Sequence, residues 1–262
     1  MGNCYGGSLN KLIFRPPPPR REDEYKVILN KYLKIVSYLT NDNKEISAII
    51  GVPKFIPGAD KCIIFSHGNN CDAFTMFYYI EKWATDLGAH VVCYDYIGYG
   101  LSADDEPSEN GCYASLEATI DYVNIMMGIN KSKIYLMGQS LGTGVIINYV
   151  SKTEWLTPII LISPYKTICR IIIDSCIVTP IDKFKNIQKI KHVHCPVKII
   201  HGTRDTIINI EHAVELYNKL PNKSLDPSWI EDADHNDILD RLDDNIIYDV
   251  LCSNNEEDSL QL

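Results

Sequence analysis

The spacing of hydrophobic positions changes repeatedly along the chain. Short β-branched runs at 33–39 and 46–52 flank Thr40-Asn41-Asp42-Asn43-Lys44 and predict two strands joined as a hairpin. A continuous apolar run at 62–66 ends in His67-Gly68 and predicts a strand buried on both faces. Residues 73–87 recur at helical spacing and stop at Gly88. The alternation then continues, with strands at 90–96, 133–137, 158–162, 197–201 and 228–231, and helices at 115–127, 142–152, 211–220 and 236–252. Such alternation predicts an α/β fold with a mostly parallel central sheet and helices on both faces, the opening hairpin adding an antiparallel edge. In sheets of this kind the chemistry gathers beyond the carboxyl ends of the strands.

The ends of the chain break the pattern. Residues 1–24 contain Gly6-Gly7, the run Pro16-Pro17-Pro18-Pro19 and mixed charges, and predict a tail whose prolines form an extended spacer. The folded domain is expected over 25–252, followed by an acidic tail at 253–262. The isoleucine-rich stretch 165–195 is too long for a simple turn. It is expected to form a short cap over the functional site.

Composition narrows the function classes. At 262 residues with 45% hydrophobic side chains, one domain buries a core that needs neither disulfides nor metal. The nine cysteines are odd in number, form no C-x-x-C pair and fall partly inside apolar runs, as expected of buried thiols in a reducing, cytoplasmic compartment. The net charge is −9, yet residues 1–21 hold Lys11, Arg15, Arg20 and Arg21 and no acid, so the body is more acidic still. That argues against a nucleic-acid partner, which needs a basic face. His192-Val193-His194-Cys195 is followed by no second ligand pair at zinc spacing, and Gly98-Tyr99-Gly100 lacks a third glycine for a dinucleotide. Neither metal nor cofactor is expected. No apolar stretch reaches the roughly 18 residues of a spanning helix.

Candidate chemistry centres on Gly138-Gln139-Ser140-Leu141-Gly142, which follows a predicted strand and opens a predicted helix. This context resembles the nucleophile elbow of the α/β-hydrolase fold, where glycines two before and two after the serine leave room for a strained turn. In that fold the triad runs serine, acid, histidine along the chain. Asp205 follows the strand at 197–201, whereas the rival Asp182 has no strand before it and Asp226 precedes the last strand. His235 is the histidine that follows the last strand. Ser140 is then the expected nucleophile, His235 its base and Asp205 the acid that fixes the histidine tautomer. The backbone N–H groups of Leu141 and Asn69 are the expected oxyanion donors, Asn69 lying after the third strand.

The sequence resembles the α/β-hydrolase domain 17 family of protein depalmitoylases over residues 11–239. The resemblance rests on Ser66-His67-Gly68-Asn69, Tyr94-Asp95-Tyr96-Ile97-Gly98-Tyr99-Gly100, Pro107-Ser108-Glu109-Asn110, the elbow, Ser163-Pro164, Phe184-Lys185-Asn186-Ile187, His201-Gly202-Thr203 and His235-Asn236-Asp237. It puts Ser140, Asp205 and His235 on the family's triad positions and implies cleavage of a long-chain acyl thioester from protein cysteine. Vertebrate members typically open with a cluster of lipidated cysteines, where this chain has only Cys4, and often carry a proline where it reads Gly142-Thr143-Gly144. The residues themselves reach as far as acyl transfer to water, on an acylated protein or a small acyl ester. A general carboxylesterase or lipase, or a non-catalytic binding protein on the same fold, are the alternatives.

Met1-Gly2-Asn3-Cys4 would expose Gly2 for myristoylation, although Gly6 stands where Ser or Thr is usual. One myristoyl chain anchors only marginally, so palmitoylation of Cys4 or the four basic residues would supply the second signal. The expected location is peripheral, on a membrane surface through the N-terminus.

Overall fold

The computed structural model describes residues 10–56, 58–168, 171 and 182–259, and of Glu22 and residues 254–259 the backbone alone. The chain forms two compact units divided between Ile129 and Asn130.

In the first unit β1 (Leu33–Leu39) pairs antiparallel with β2 (Glu45–Gly51), in the register Leu33↔Gly51 to Leu39↔Glu45. The turn between them closes by Thr40 N–H to Lys44 C=O at 2.9 Å, with Asn43 left-handed at φ 57°. Next comes β4 (His90–Tyr94), antiparallel to β2, and then β3 (Cys62–Ser66), parallel to β4 with Cys62↔His90. β3 is buried along its whole length, and β4 at all but its first residue, as expected for strands covered on both faces. A short α1 (Glu22–Tyr25) precedes β1, α2 (Phe77–Asp86) joins β3 to β4, and α3 (Glu109–Asp121) follows β4. α2 buries Ile80, Trp83 and Ala84, at helical spacing. It crosses β2 at Gly51, where a Cβ would stand 2.8 Å from the Ile80 carbonyl.

The second unit is wholly parallel, in the order β5 (Ile134–Gln139), β6 (Ile159–Ile162), β7 (Val197–Gly202), β8 (Ser228–Ile230). Its helices are α4 (Leu141–Val150), α5 (Asn186–Lys189), α6 (Glu211–Lys219), α7 (Ile238–Arg241) and α8 (Asn245–Ser259). The Tyr135 hydroxyl on β5 donates to the Leu251 carbonyl of α8 at 3.0 Å.

Several boundaries differ from the sequence reading. α2 starts at Phe77 rather than 73, because Asp72 and Thr75 exchange side-chain to backbone hydrogen bonds in a turn first. α3 starts at Glu109 rather than 115, capped by Ser108 Oγ on the Gly111 N–H at 3.0 Å. The expected helix at 236–252 is two helices, and α8 runs on to Ser259 through part of the expected acidic tail. Within the expected tail, Ile13 and Phe14 are buried, at 2% and 3% exposed, while Pro16, Pro18 and Pro19 are exposed. Of the expected cap at 165–195, residues 169, 170 and 172–181 lie outside the described residues.

Candidate active site

Ser140 stands between β5 and α4 with φ 51° and ψ −115°, a backbone conformation that side chains rarely adopt. Its neighbours enforce it. The Ser140 N–H donates to the Ile162 carbonyl at 2.9 Å, and its own carbonyl accepts from the Thr143 N–H at 3.0 Å and hydroxyl at 2.6 Å. A Cβ on Gly138 would lie 2.7 Å from Ile146 Cδ1 and 2.8 Å from the Gly142 backbone. The two elbow glycines therefore make room for each other, and Leu141 opens α4 directly after the serine.

Asp205 sits in the turn after β7. Its Oδ1 accepts from the N–H groups of Ile207 at 3.0 Å and Ile208 at 2.7 Å. Its Oδ2 lies 2.7 Å from Nδ1 of His235. Nε2 of His235 lies 3.1 Å from Ser140 Oγ. The structure thus brings Ser140, His235 and Asp205, spread over 95 positions of sequence, into one hydrogen-bonded chain. Burial of Asp205 works to raise its pKa. The hydrogen bond and charge of His235, then the Ile208 N–H and His201, outweigh burial and hold the carboxyl below its ordinary value.

Backbone bonds explain why the histidine loop meets the acid turn. The Thr203 N–H donates to the Ile230 carbonyl, the Arg204 N–H to Ala233, and the Asp232 N–H to Thr203 Oγ1, at 2.9–3.0 Å. A Cβ on Gly202 would stand 2.3 Å from the Ala233 carbonyl oxygen, so glycine permits the approach. Around His235, Asp234 Oδ1 accepts from the Asn236 N–H and Asp237 Oδ1 from the Asp234 N–H, both at 2.7 Å, which fixes the loop tip.

In the first unit the Asn69 side chain faces the N-terminal segment. Its Oδ1 accepts from the Arg15 N–H at 2.9 Å and the Tyr99 hydroxyl at 2.7 Å, and its Nδ2 donates to the Ile13 carbonyl at 2.6 Å. Its side chain is therefore committed to structure, and only its backbone is left as a candidate donor. Gly2 and Cys4 lie outside the described residues. The sequence reading missed one residue here. His201 on β7 comes within 3.4 Å of Asp205 Oδ2, and the available signal was its position four residues before the acid.

The α/β-hydrolase fold family matches residues 61–180. An α/β hydrolase of Acanthamoeba polyphaga mimivirus, L404, is 45% identical over 90% of this chain and 89% of its own. The α/β-hydrolase domain-containing protein 17C of Xenopus tropicalis is 36% identical over 70% of this chain and 58% of its own. Among solved structures, the Pyrococcus furiosus esterase Pf2001 superposes with a TM-score of 0.71 at 18% identity, over 92% of this chain and 97% of that one. No helix among the described residues is long and apolar enough to cross a membrane.

Proposed function

The chain belongs to the α/β-hydrolase family, alongside the domain 17 proteins, and from that premise we propose that it is a serine hydrolase acting through Ser140, His235 and Asp205 on long-chain acyl thioesters of protein cysteine. The observation that carries this reading is the hydrogen-bonded chain from Asp205 through His235 to Ser140 Oγ, held at a strained serine.

Each step has a group to perform it. His235 Nε2 takes the Ser140 proton as Oγ attacks the acyl carbonyl carbon, and the carbonyl π electrons move onto oxygen. Asp205 holds the Nδ1–H tautomer and stabilises the imidazolium. The backbone N–H groups of Leu141 and Asn69 are assigned to the oxyanion, at the N-terminal end of α4 and in the loop after β3 respectively. Collapse of the tetrahedral intermediate breaks the carbon–sulfur bond, and His235 returns its proton to the departing thiolate. Water, deprotonated by the same imidazole, then cleaves the acyl-enzyme to free fatty acid and Ser140.

The thioester rests on the kinship with the domain 17 proteins and on the N-terminus. Gly2 and Cys4 as lipid sites would hold the enzyme at the surface where acylated proteins reside. The test is a paired assay on a palmitoyl-cysteine peptide and p-nitrophenyl esters. A kcat/KM at least about tenfold higher on the thioester is expected. Preference for the oxygen esters would make the protein a general carboxylesterase.

A further inference from the structure

We propose that His201 is a positioning residue for Asp205: its Nε2–H, bonded to the Ile208 carbonyl, ties the two ends of the turn that presents the carboxylate. This rests on the reading of Asp205 as the acid of the reaction.

His201 is the last residue but one of β7, with a fully buried side chain. Its Nε2 is 2.7 Å from the Ile208 carbonyl oxygen and 3.4 Å from Asp205 Oδ2. A carbonyl only accepts, so the proton is on Nε2. The bond therefore spans the whole turn, from the strand before Asp205 to the third residue after it. Ile208 serves the acid twice: its N–H donates to Asp205 Oδ1, and its carbonyl is held by His201. Releasing that carbonyl would free the Ile208 backbone to rotate, and its N–H would leave the carboxylate.

The other ring nitrogen sets the protonation state. Nδ1 of His201 is buried and finds no hydrogen-bond partner among the described residues. Charging the ring would add a proton there with nothing to accept it. Burial pushes the imidazole below its ordinary pKa; the Ile208 carbonyl and Asp205 oppose this, and His235 adds to it. Among the described residues, Asp205 and His235 are the charged groups that act on the ring. Trp229 of β8 lies across the strand, Ile162 of β6 pairs with the preceding Ile200, and His212 of α6 is turned to the Lys166 N–H. Two imidazoles therefore approach one carboxylate with different tasks. His235 exchanges the proton with Ser140, while His201 stays neutral as a fixed donor to the Ile208 carbonyl.

The test compares His201→Leu, His201→Gln and His201→Asn in the full chain. The readout is the second-order rate of labelling by a fluorophosphonate from pH 5 to 9, with Ser140→Ala as the control. Leucine removes the donor. The glutamine amide reaches the distance of Nε2, and the asparagine amide does not. Leucine is expected to slow labelling about 10–100-fold, the order of the cost of misplacing a group that orients the base. With the Ile208 N–H released from Asp205, the imidazolium of His235 is better stabilised, so the acid limb moves to higher pH. Glutamine should restore both rate and acid limb to within a few-fold of wild type, and asparagine should not. If the leucine variant fails to fold, the difference between glutamine and asparagine carries the test. Wild-type pH profiles in all foldable variants, with only a fall in Tm, would overturn the assignment while an unlabelled Ser140→Ala leaves the proposed function standing. Labelling of Ser140→Ala would overturn both.

Discussion

At the residue scale, the strained serine and the buried titratable groups make the sharpest claims. Gly138→Ala would drive a methyl to within 2.7 Å of Ile146 and 2.8 Å of the Gly142 backbone. The elbow must open to admit it, so fluorophosphonate labelling is expected to fall by at least about 10². Asp205→Asn should leave a folded protein with activity lower by about 10⁴, because asparagine favours the wrong histidine tautomer. Full activity in that variant, with loss in Asp182→Asn, would reassign the acid. In the first unit, burial pushes the Asp95 carboxyl up to about 7, opposed by the Ala73 and Leu101 N–H groups. Burial likewise pushes His67 down to about 4. A carboxyl raised in the folded state contributes stability at low pH that is lost as pH rises from about 4 to about 7. A histidine lowered in the folded state contributes stability at high pH that is lost as pH falls from about 6.5 to about 4. The two effects oppose each other in one window, so wild-type melting curves alone would not separate them. Asp95→Asn should remove the first effect only. Subtracting its Tm profile from wild type should leave a difference that declines between pH 4 and 7, and a flat difference would show that Asp95 titrates at an ordinary value.

At the element scale, legibility in the sequence followed the physics of burial. The strands were readable because they lie between layers and so form continuous apolar runs, as in Cys62–Ser66 and Ile159–Ile162. The first turn of α3 was not, because it is built from a polar cap. Ser108-Glu109-Asn110-Gly111 has no apolar period, yet it starts α3. The attachment of Ile13 and Phe14 within the expected tail was not legible for a similar reason. Its attachment rests on two buried side chains, one carboxamide and one ion pair, none of which produces a repeating pattern. Arg20 Nε lies 3.1 Å from Asp72 Oδ2, whose side chain is fully buried, and the guanidinium stacks 4.3 Å from the Phe74 ring. Arg20→Ala leaves that carboxylate buried and short of a partner. Since the arginine is itself partly exposed, a loss of about 1–3 kcal/mol is expected in urea unfolding. Adding Asp72→Asn should recover part of it, and if the single variant unfolds like wild type the ion pair contributes nothing.

At the scale of the whole molecule, chain order carried the candidate site. Serine, acid and histidine fall in the sequence expected of the fold, each after its own strand, and the structure joins them within hydrogen-bond distance. His201 escaped because its partner is reached across a turn, a relation that no strand period announces. The proposed lipid anchor belongs to this scale too. Membrane fractionation of wild type, Gly2→Ala and Cys4→Ser in a eukaryotic cell should release the glycine variant most, since myristate would come first. Equal solubility of all three would remove the anchor. The central claim is that Ser140 is the acyl-accepting nucleophile of a thioesterase. It is tested most directly by following free thiol and fatty acid released from a palmitoyl-cysteine peptide by wild type and by Ser140→Ala, with fluorophosphonate adducts mapped by mass spectrometry. The expected result is turnover and a single adduct on Ser140 in wild type, and neither in the folded alanine variant. Thioester cleavage by Ser140→Ala, or an adduct on another residue, would contradict it.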